Sequence, residues 1–147
     1  MKTGAFFGEL KRRNVLRAGA FYAAAIWALA QGIAFATAYQ WRGSLLTSSG
    51  DLAGGLASLE RASALDPRSL VVGENHAFAL RSLGRDAEAK ALCMRILVFA
   101  PEYVGCMDDI AMADLQLRDY AGARSMLERL AATLNPSAAV MGRELTD

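Results

Sequence analysis

The sequence is poor in histidine, cysteine and proline, with one, two and three residues of each type among 147. The sequence places no Ser or Asp beside the single histidine, His76, so no Ser-His-Asp arrangement can be argued from it. The cysteines lack CxxC spacing, and with one histidine they cannot easily supply the ligands of a zinc site. The sequence also lacks a Walker loop and a GxGxxG motif. We therefore expect no catalytic residues, no metal and no cofactor.

Charge is nearly balanced, with 16 basic against 15 acidic residues and a formal net charge of +1. No stripe of Lys and Arg could follow a phosphate backbone, so we expect no nucleic-acid partner. The one local imbalance is at the start, where residues 1–41 contain five basic side chains and a single acid, Glu9. The five basic residues are Lys2, Lys11, Arg12, Arg13 and Arg17.

An uncharged segment of 21 residues runs from Ala18 to Ala38. About 20 apolar residues in a helix span the hydrocarbon core of a bilayer. Tyr39 and Trp41 follow the segment, at the depth where amphipathic rings favour the headgroup region. We therefore predict a transmembrane helix over 18–41, preceded by a cytoplasmic basic N-terminus over 1–17. Because positive charge stays on the cytoplasmic side, the rest of the chain is expected in the periplasm.

Several alternatives to an uncleaved membrane span fit the same segment. Ala36-Thr37-Ala38 matches a signal-peptide cleavage site, and Arg12-Arg13-Asn14-Val15-Leu16 loosely resembles a twin-arginine signal. A surface amphipathic helix and a buried core helix are further alternatives. Small residues at every fourth position would also allow two spans to pack closely, which leaves open a homo-oligomer through the transmembrane helix. These are Ala24, Ala28, Gly32 and Ala36.

The basic preamble and the span together resemble a known anchor segment. The residues that carry the resemblance are Gly8-Glu9-Leu10-Lys11-Arg12-Arg13-Asn14-Val15-Leu16-Arg17, then Ala20-Phe21-Tyr22, Ile26-Trp27 and Gln31. Such an ELKRRNV-type segment opens many proteobacterial membrane proteins that carry tetratricopeptide (TPR) arrays, including TolB-like and adenylate-cyclase-type proteins. The resemblance implies an uncleaved anchor in the bacterial inner membrane. We do not expect the signalling domains of those relatives within these 147 residues.

A repeat follows the span. Gly50 and Gly84 are 34 residues apart, as are Pro67 and Pro101, and 34 is the TPR period. The first unit ends at Pro67, the second runs over 70–101, and the third starts near 104 and closes one residue late at Asn135-Pro136. Small residues let paired helices approach, although Gly55 replaces the usual alanine of the first unit. Those small residues are Ala77, Ala89, Ala111 and Ala123.

These patterns predict an all-α chain, an α-α hairpin solenoid of about three TPR-like units over 42–136 after one transmembrane helix. A longer solenoid repeat of the Sel1 type is the alternative, which the 34-residue period argues against. A capping helix or tail is expected over 137–147. The expected helices run over 15–48, 51–65, 69–83, 86–99, 103–117 and 120–134.

By the TPR pattern, the first helices of successive units line a concave groove that binds a protein or peptide. The residues expected to line the partner groove are Glu74, Phe78 and Arg81 of unit two and Asp108, Met112 and Gln116 of unit three. This set lacks the cluster of Lys and Arg that would suit a terminal carboxylate. The leading hypothesis is a membrane-anchored adaptor or scaffold. Alternatives are an exported soluble periplasmic module, or a regulatory fragment of a cyclase-type or TolB-like signalling protein.

Three further sets of polar residues carry expectations. Cys93 and Cys106 fall on neighbouring antiparallel helices at heights that differ by ~4–5 Å, so a disulfide and two buried thiols are both open. His76 falls in mid-helix and is expected to be structural. The aspartates of the fifth expected helix are interpreted as a solvated face without paired-carboxylate chemistry; they are Asp108, Asp109 and Asp114.

Overall fold

The computed structural model describes residues 3–135, with side chains from residue 17 onward. Those residues form six α-helices and no strand, as the all-α prediction requires. In chain order they are α1 Thr3–Ser48, α2 Leu52–Leu65, α3 Leu70–Ser82, α4 Asp86–Phe99, α5 Val104–Gln116 and α6 Tyr120–Leu134. The capping helix or tail expected over 137–147 lies outside the described residues.

The helices alternate in length with the sequence period. α3 and α5 have 13 residues each and α2 and α4 have 14, while α6 has 15. The extra residue in α6 explains why the third unit closes one position late. The closing residues of the three units, Asp66, Ala100 and Asn135, share nearly the same backbone conformation, with φ of −136°, −134° and −136°.

The turn between the two helices of each unit uses a left-handed residue. Gly50, Gly84 and Arg118 have φ of 94°, 73° and 62°, and they are spaced at the repeat period. Glycine adopts this conformation without steric cost, whereas a side chain such as that of Arg118 makes it unfavourable. The third unit therefore keeps the turn of the other two at a conformational cost.

Helices α1, α3 and α5 form one row and contact one another in series, while α2, α4 and α6 pack behind them. Long apolar side chains such as Leu59, Met107 and Ile110 fill the space between units and are fully buried. The four alanines expected at the close helix crossings are at most 1% exposed, which confirms their role. They are Ala77, Ala89, Ala111 and Ala123.

The first unit is packed more tightly than the other two. A Cβ atom on Gly55 would lie 2.2 Å from Thr47 Oγ1 and 2.9 Å from the Thr47 backbone nitrogen. A Cβ atom on Gly43 would lie 2.5 Å from Leu59 Cγ. Thr47 is itself buried and donates a hydrogen bond to the Gly43 carbonyl. Helices α1 and α2 therefore approach too closely for the alanine that stands at this position in later units.

Helix α1 joins the apolar segment to the first unit without a break. Its stretch Arg17–Ser48 has the length and apolarity to cross a membrane, and no residue of its most apolar part is buried against the rest of the protein. Phe21 and Trp27, for example, are 76% and 67% exposed. From Ala36 onward, one side of the helix is buried in the repeat. One helix is therefore both the apolar segment and the first member of the row α1, α3, α5.

Candidate functional site

Equivalent positions on the three front helices line one face of the solenoid. Ser44, Phe78 and Met112 follow one another at the 34-residue period. Phe78 is 51% exposed and Met112 is 38% exposed, so two large apolar side chains stand on this face and no element between residues 3 and 135 covers them. The face is therefore a surface on which another chain could bury apolar area.

The larger cavity of this face lies where the α3–α4 turn approaches the end of α5. We call it the Arg81 cavity; its volume is about 320 Å³. Three of the six predicted groove residues, Phe78, Arg81 and Gln116, line it. The remaining lining residues are Ser82, Gly84 and Asp86. The spacing rule could have found Ser82, which lies 34 residues before Gln116, but not Asp86, which begins a rear helix.

A smaller cavity of about 80 Å³ lies on the other side of Phe78. We call it the Asn75 cavity. Its polar lining is uncharged, and unit one supplies most of it, although no residue of that unit was predicted. Ser44 and Ser48 lie 34 residues before Phe78 and Ser82, so the repeat period could have identified them. The full lining is Ser44, Thr47, Ser48, Leu59, Asn75 and Phe78.

The other three predicted groove residues do not line either cavity. Glu74 accepts a hydrogen bond from the Tyr103 hydroxyl, and a Cβ atom on Gly105 would lie 2.4 Å from its Oε1. Burial and this hydrogen bond both raise the pKa of Tyr103. Glu74 therefore ties α3 to the start of α5, while Asp108 and Met112 are exposed on α5 and could contact a partner directly.

Arg81 is held by a partner from the next unit. Its Nη1 lies 2.5 Å from Asp109 Oδ1, and the Asp109 side chain is only 6% exposed. Burial raises the pKa of Asp109, while the hydrogen bond from Arg81 opposes the rise. The Nε atom of Arg81 is buried and has no hydrogen-bond partner among the described residues, and the same holds for Oδ1 of Asp86.

The expected solvated aspartate face on α5 is wrong for two of its three members. Asp109 and Asp114 are 4% and 1% exposed, and only Asp108 faces solvent. Asp114 forms an ion pair with Lys90, which also reaches Asp119 Oδ2 at 3.6 Å. The cations come from α3 and α4, so inspection of the α5 sequence alone could not identify the pairs.

Cys93 and Cys106 are fully buried between α4 and α5. A hydrogen bond with Cys106 and burial together raise the pKa of the Cys93 thiol, whose Sγ also lies 4.0 Å from Asp109 Oδ2. The structure therefore places the two side chains together, as their predicted heights allowed. Both are free thiols here, and a disulfide between them stays a prediction.

His76 lies between α2 and α4 and not on the front face. Its Nδ1 is 3.0 Å from Ser63 Oγ, and burial lowers the pKa of the imidazole. This is the environment of a packed structural histidine, as predicted. Within the described part of the chain, no group of three or more His, Cys, Asp or Glu side chains is placed to hold a metal ion.

No protein-family model and no curated protein sequence matches this chain. Among solved structures it is similar to the first TPR of Spaghetti (RPAP3) bound to the HSP90 peptide SRMEEVD, with a TM-score of 0.65 and 19% identity over 76% of this chain and 90% of that one. It is similar to the Arabidopsis OM64 TPR domain, with a TM-score of 0.67 and 15% identity over 78% and 97% of the two chains. It is also similar to the TPR2B domain of yeast Sti1 in its pHsp70 complex, with a TM-score of 0.65 and 20% identity over 76% and 90%.

The chain has the TPR fold. At these identities the likeness establishes the fold alone, and it confirms the solenoid predicted from the 34-residue period.

Proposed function

We propose that this protein is a membrane-anchored TPR adaptor, not an enzyme, and that it binds a segment of a protein partner along the face of α1, α3 and α5. The observation that carries the proposal is the exposed pair Phe78 and Met112 beside the Arg81 and Asn75 cavities. A peptide lying there would bury apolar area on the two side chains, and polar groups in the cavities would fix its register. The HSP90 peptide on a TPR of the same fold supports this mode of binding.

The charge of the face argues against an acidic terminal peptide such as SRMEEVD. Arg81 is the cation of the Arg81 cavity, and Asp109 already neutralises it. Asp86 lines the same cavity, and Asp108 is exposed on α5. A neutral or basic partner segment therefore fits this face better than an acidic one.

The proposed location is the bacterial inner membrane, with the N-terminus in the cytoplasm and the TPR units in the periplasm. The exposed apolar surface of α1 between Arg17 and Ala36 supports a membrane span, and the basic residues before it support this orientation. Cleavage after Ala38 would remove Ala36, which is only 2% exposed and so belongs to the packed repeat. This argues for an uncleaved anchor over the exported soluble form.

Site-specific photo-crosslinking on the full chain in bacterial membranes tests the binding face. With the photoreactive residue at position 82, we expect capture of a defined partner that Phe78→Ala and Met112→Ala reduce. Val98→Ala is the matched control, because Val98 is 84% exposed on the rear helix α4. Equal capture by all three variants would place the partner elsewhere.

The location needs a separate measurement. We expect the full-length mass of the mature protein in a membrane fraction that resists carbonate extraction. Protease added to spheroplasts should degrade the TPR units. A mass that lacks residues 1–38, or a soluble periplasmic protein, would instead establish the exported module.

A further inference from the structure

We propose that a cavity between α1 and α2, at the end of unit one nearest the apolar segment, binds a phosphate group through Arg42 and Arg61. We call it the Arg42 cavity; its volume is about 320 Å³. It shares no lining residue with the Arg81 or the Asn75 cavity, so it is separate from the proposed partner groove. The inference rests on the proposed membrane anchor and names what the chain binds at the membrane surface. The full lining is Tyr39, Arg42, Gly54, Ala57, Ser58 and Arg61.

The antiparallel packing of α1 and α2 brings the two arginines to the same height. Gly43 of α1 lies against Leu59 of α2, since a Cβ atom on Gly43 would be 2.5 Å from Leu59 Cγ. Arg42 comes one residue before Gly43, and Arg61 comes two residues after Leu59. Because the helices run in opposite directions, both steps lead toward the apolar segment. Two residues that are distant in the sequence therefore line one cavity.

The charge of the Arg42 cavity is positive and uncompensated. Both arginines are exposed, and neither forms an ion pair or a hydrogen bond through its side chain among the described residues. No acidic residue lines the cavity, and Tyr39 adds a hydroxyl to its lining. A carboxylate has two oxygens, which one guanidinium can satisfy, whereas a phosphate has enough oxygens to accept from two guanidinium groups at once. An anionic phosphate therefore fits this set of donors best.

The height of the cavity on α1 indicates where the phosphate comes from. Ala38 is the last residue of the uncharged segment, and Arg42 stands ~6 Å beyond it at 1.5 Å per residue. The headgroup layer on each side of a bilayer is about 5–8 Å thick. Trp41 is 62% exposed at the same height, as is typical of rings at the membrane surface. Under the proposed anchoring, the Arg42 cavity therefore lies at the depth of the lipid phosphates.

Two sources can supply the phosphate: the headgroup of an anionic lipid, or free phosphate in solution. Native mass spectrometry of the full chain released from uncharged maltoside micelles counts the bound ligands. The ligands are phosphatidylglycerol, phosphatidylcholine with the same acyl chains, and inorganic phosphate. If a lipid is the source, phosphatidylglycerol should bind about tenfold more tightly than phosphatidylcholine, whose choline cation the two arginines repel. If free phosphate is the source, one inorganic phosphate should bind and the two lipids should bind alike.

Two single variants test the site under either source. Arg42→Gln and Arg61→Gln should each weaken binding of the favoured ligand about fivefold, the effect of removing one basic residue near a layer of phosphates. Arg118→Gln is the matched control, because it removes the same charge from an exposed residue that does not line the cavity. It should leave binding unchanged. Circular dichroism of each variant excludes loss of fold as the cause of weaker binding.

Unaltered binding by Arg42→Gln and Arg61→Gln would overturn the inference, as would an equal loss in Arg118→Gln. A wild-type chain that binds no inorganic phosphate and does not distinguish the two lipids would overturn it too. None of these results would refute the anchor, because the span alone should keep the Arg42→Gln/Arg61→Gln double variant in the carbonate-resistant membrane fraction. The anchor fails only if the wild-type protein itself is soluble.

Discussion

Replacing Gly55 with alanine tests whether helix α1 and the repeat form one packed unit. Alanine is the better helix former by about 1 kcal/mol, so helix propensity alone predicts that Gly55→Ala stabilises α2. The structure predicts the opposite. The new Cβ would lie 2.2 Å from Thr47 Oγ1, 2.9 Å from the Thr47 nitrogen and 3.1 Å from the Gly43 carbonyl oxygen.

Relief of these contacts requires α1 to move. Rotating the Thr47 side chain would remove the first contact but would also break its hydrogen bond to the Gly43 carbonyl. The two backbone contacts remain in any rotamer. Overpacking of this kind typically costs about 1–3 kcal/mol. After the gain in helix propensity, we expect Gly55→Ala to lower the free energy of unfolding by about 1–2 kcal/mol.

Urea unfolding of the full chain in micelles, followed by circular dichroism at 222 nm, measures the loss. Ala57→Gly is the matched control, because Ala57 is exposed on the same helix and reports helix propensity alone. Adding Thr47→Ala to Gly55→Ala should recover part of the loss, since only the side-chain contact disappears. A stabilised Gly55→Ala protein would refute the close packing of α1 on α2.

Three further changes have expected outcomes. Asp109→Ala should lower the free energy of unfolding by about 2 kcal/mol, because it leaves the half-buried Arg81 guanidinium without its partner. Asp108→Ala, at an exposed residue, should change it by less than about 0.5 kcal/mol in the same urea assay. Equal losses would contradict the burial of Asp109. Arg118→Gly should raise it by about 1 kcal/mol by removing a side chain from a left-handed position, and a destabilised variant would contradict that conformation. Burial lowers the pKa of His76 in the folded chain. As the pH falls below about 6.5, the imidazole is therefore protonated in the unfolded chain before it is protonated in the folded one, which destabilises the fold. The melting temperature should therefore fall more from about pH 7.5 to 5.5 in the wild type than in His76→Asn, and equal decreases would refute the shift.

The order and bounds of the helices could be predicted from the sequence because local chemistry marks them. Gly50 and Gly84 occupy the left-handed turns, and Pro67 and Pro101 follow helices that have already ended. The third turn carries Arg118 and gives no such signal, but the period alone places it. Every predicted helix between residues 51 and 134 begins and ends within one residue of the observed bounds.

The candidate site could be predicted only where it obeys the period. Phe78 and Gln116 could be predicted because they lie on the front helices of the repeat. Ser44 and Ser48 lie 34 residues before Phe78 and Ser82, so the same period would have identified them in unit one. Asp86 lies outside that rule because it starts a rear helix that reaches the cavity through a turn. The buried pairs on α5 were missed for another reason, since an aspartate looks solvated until the cation that covers it is placed in three dimensions.

The continuity of α1 constrains which partner could reach the binding face. Under the proposed anchoring, the uncharged part of the span ends at Ala38, and Ser44 and Ser48 of the Asn75 cavity follow on the same helix. At 1.5 Å per residue, these serines stand only ~9–15 Å beyond Ala38. A helix without a break cannot act as a flexible tether, so the face is held close to the membrane surface. The segment that binds there is then most readily supplied by a membrane protein close to its own span, where the shared membrane raises its effective concentration and a weak groove suffices.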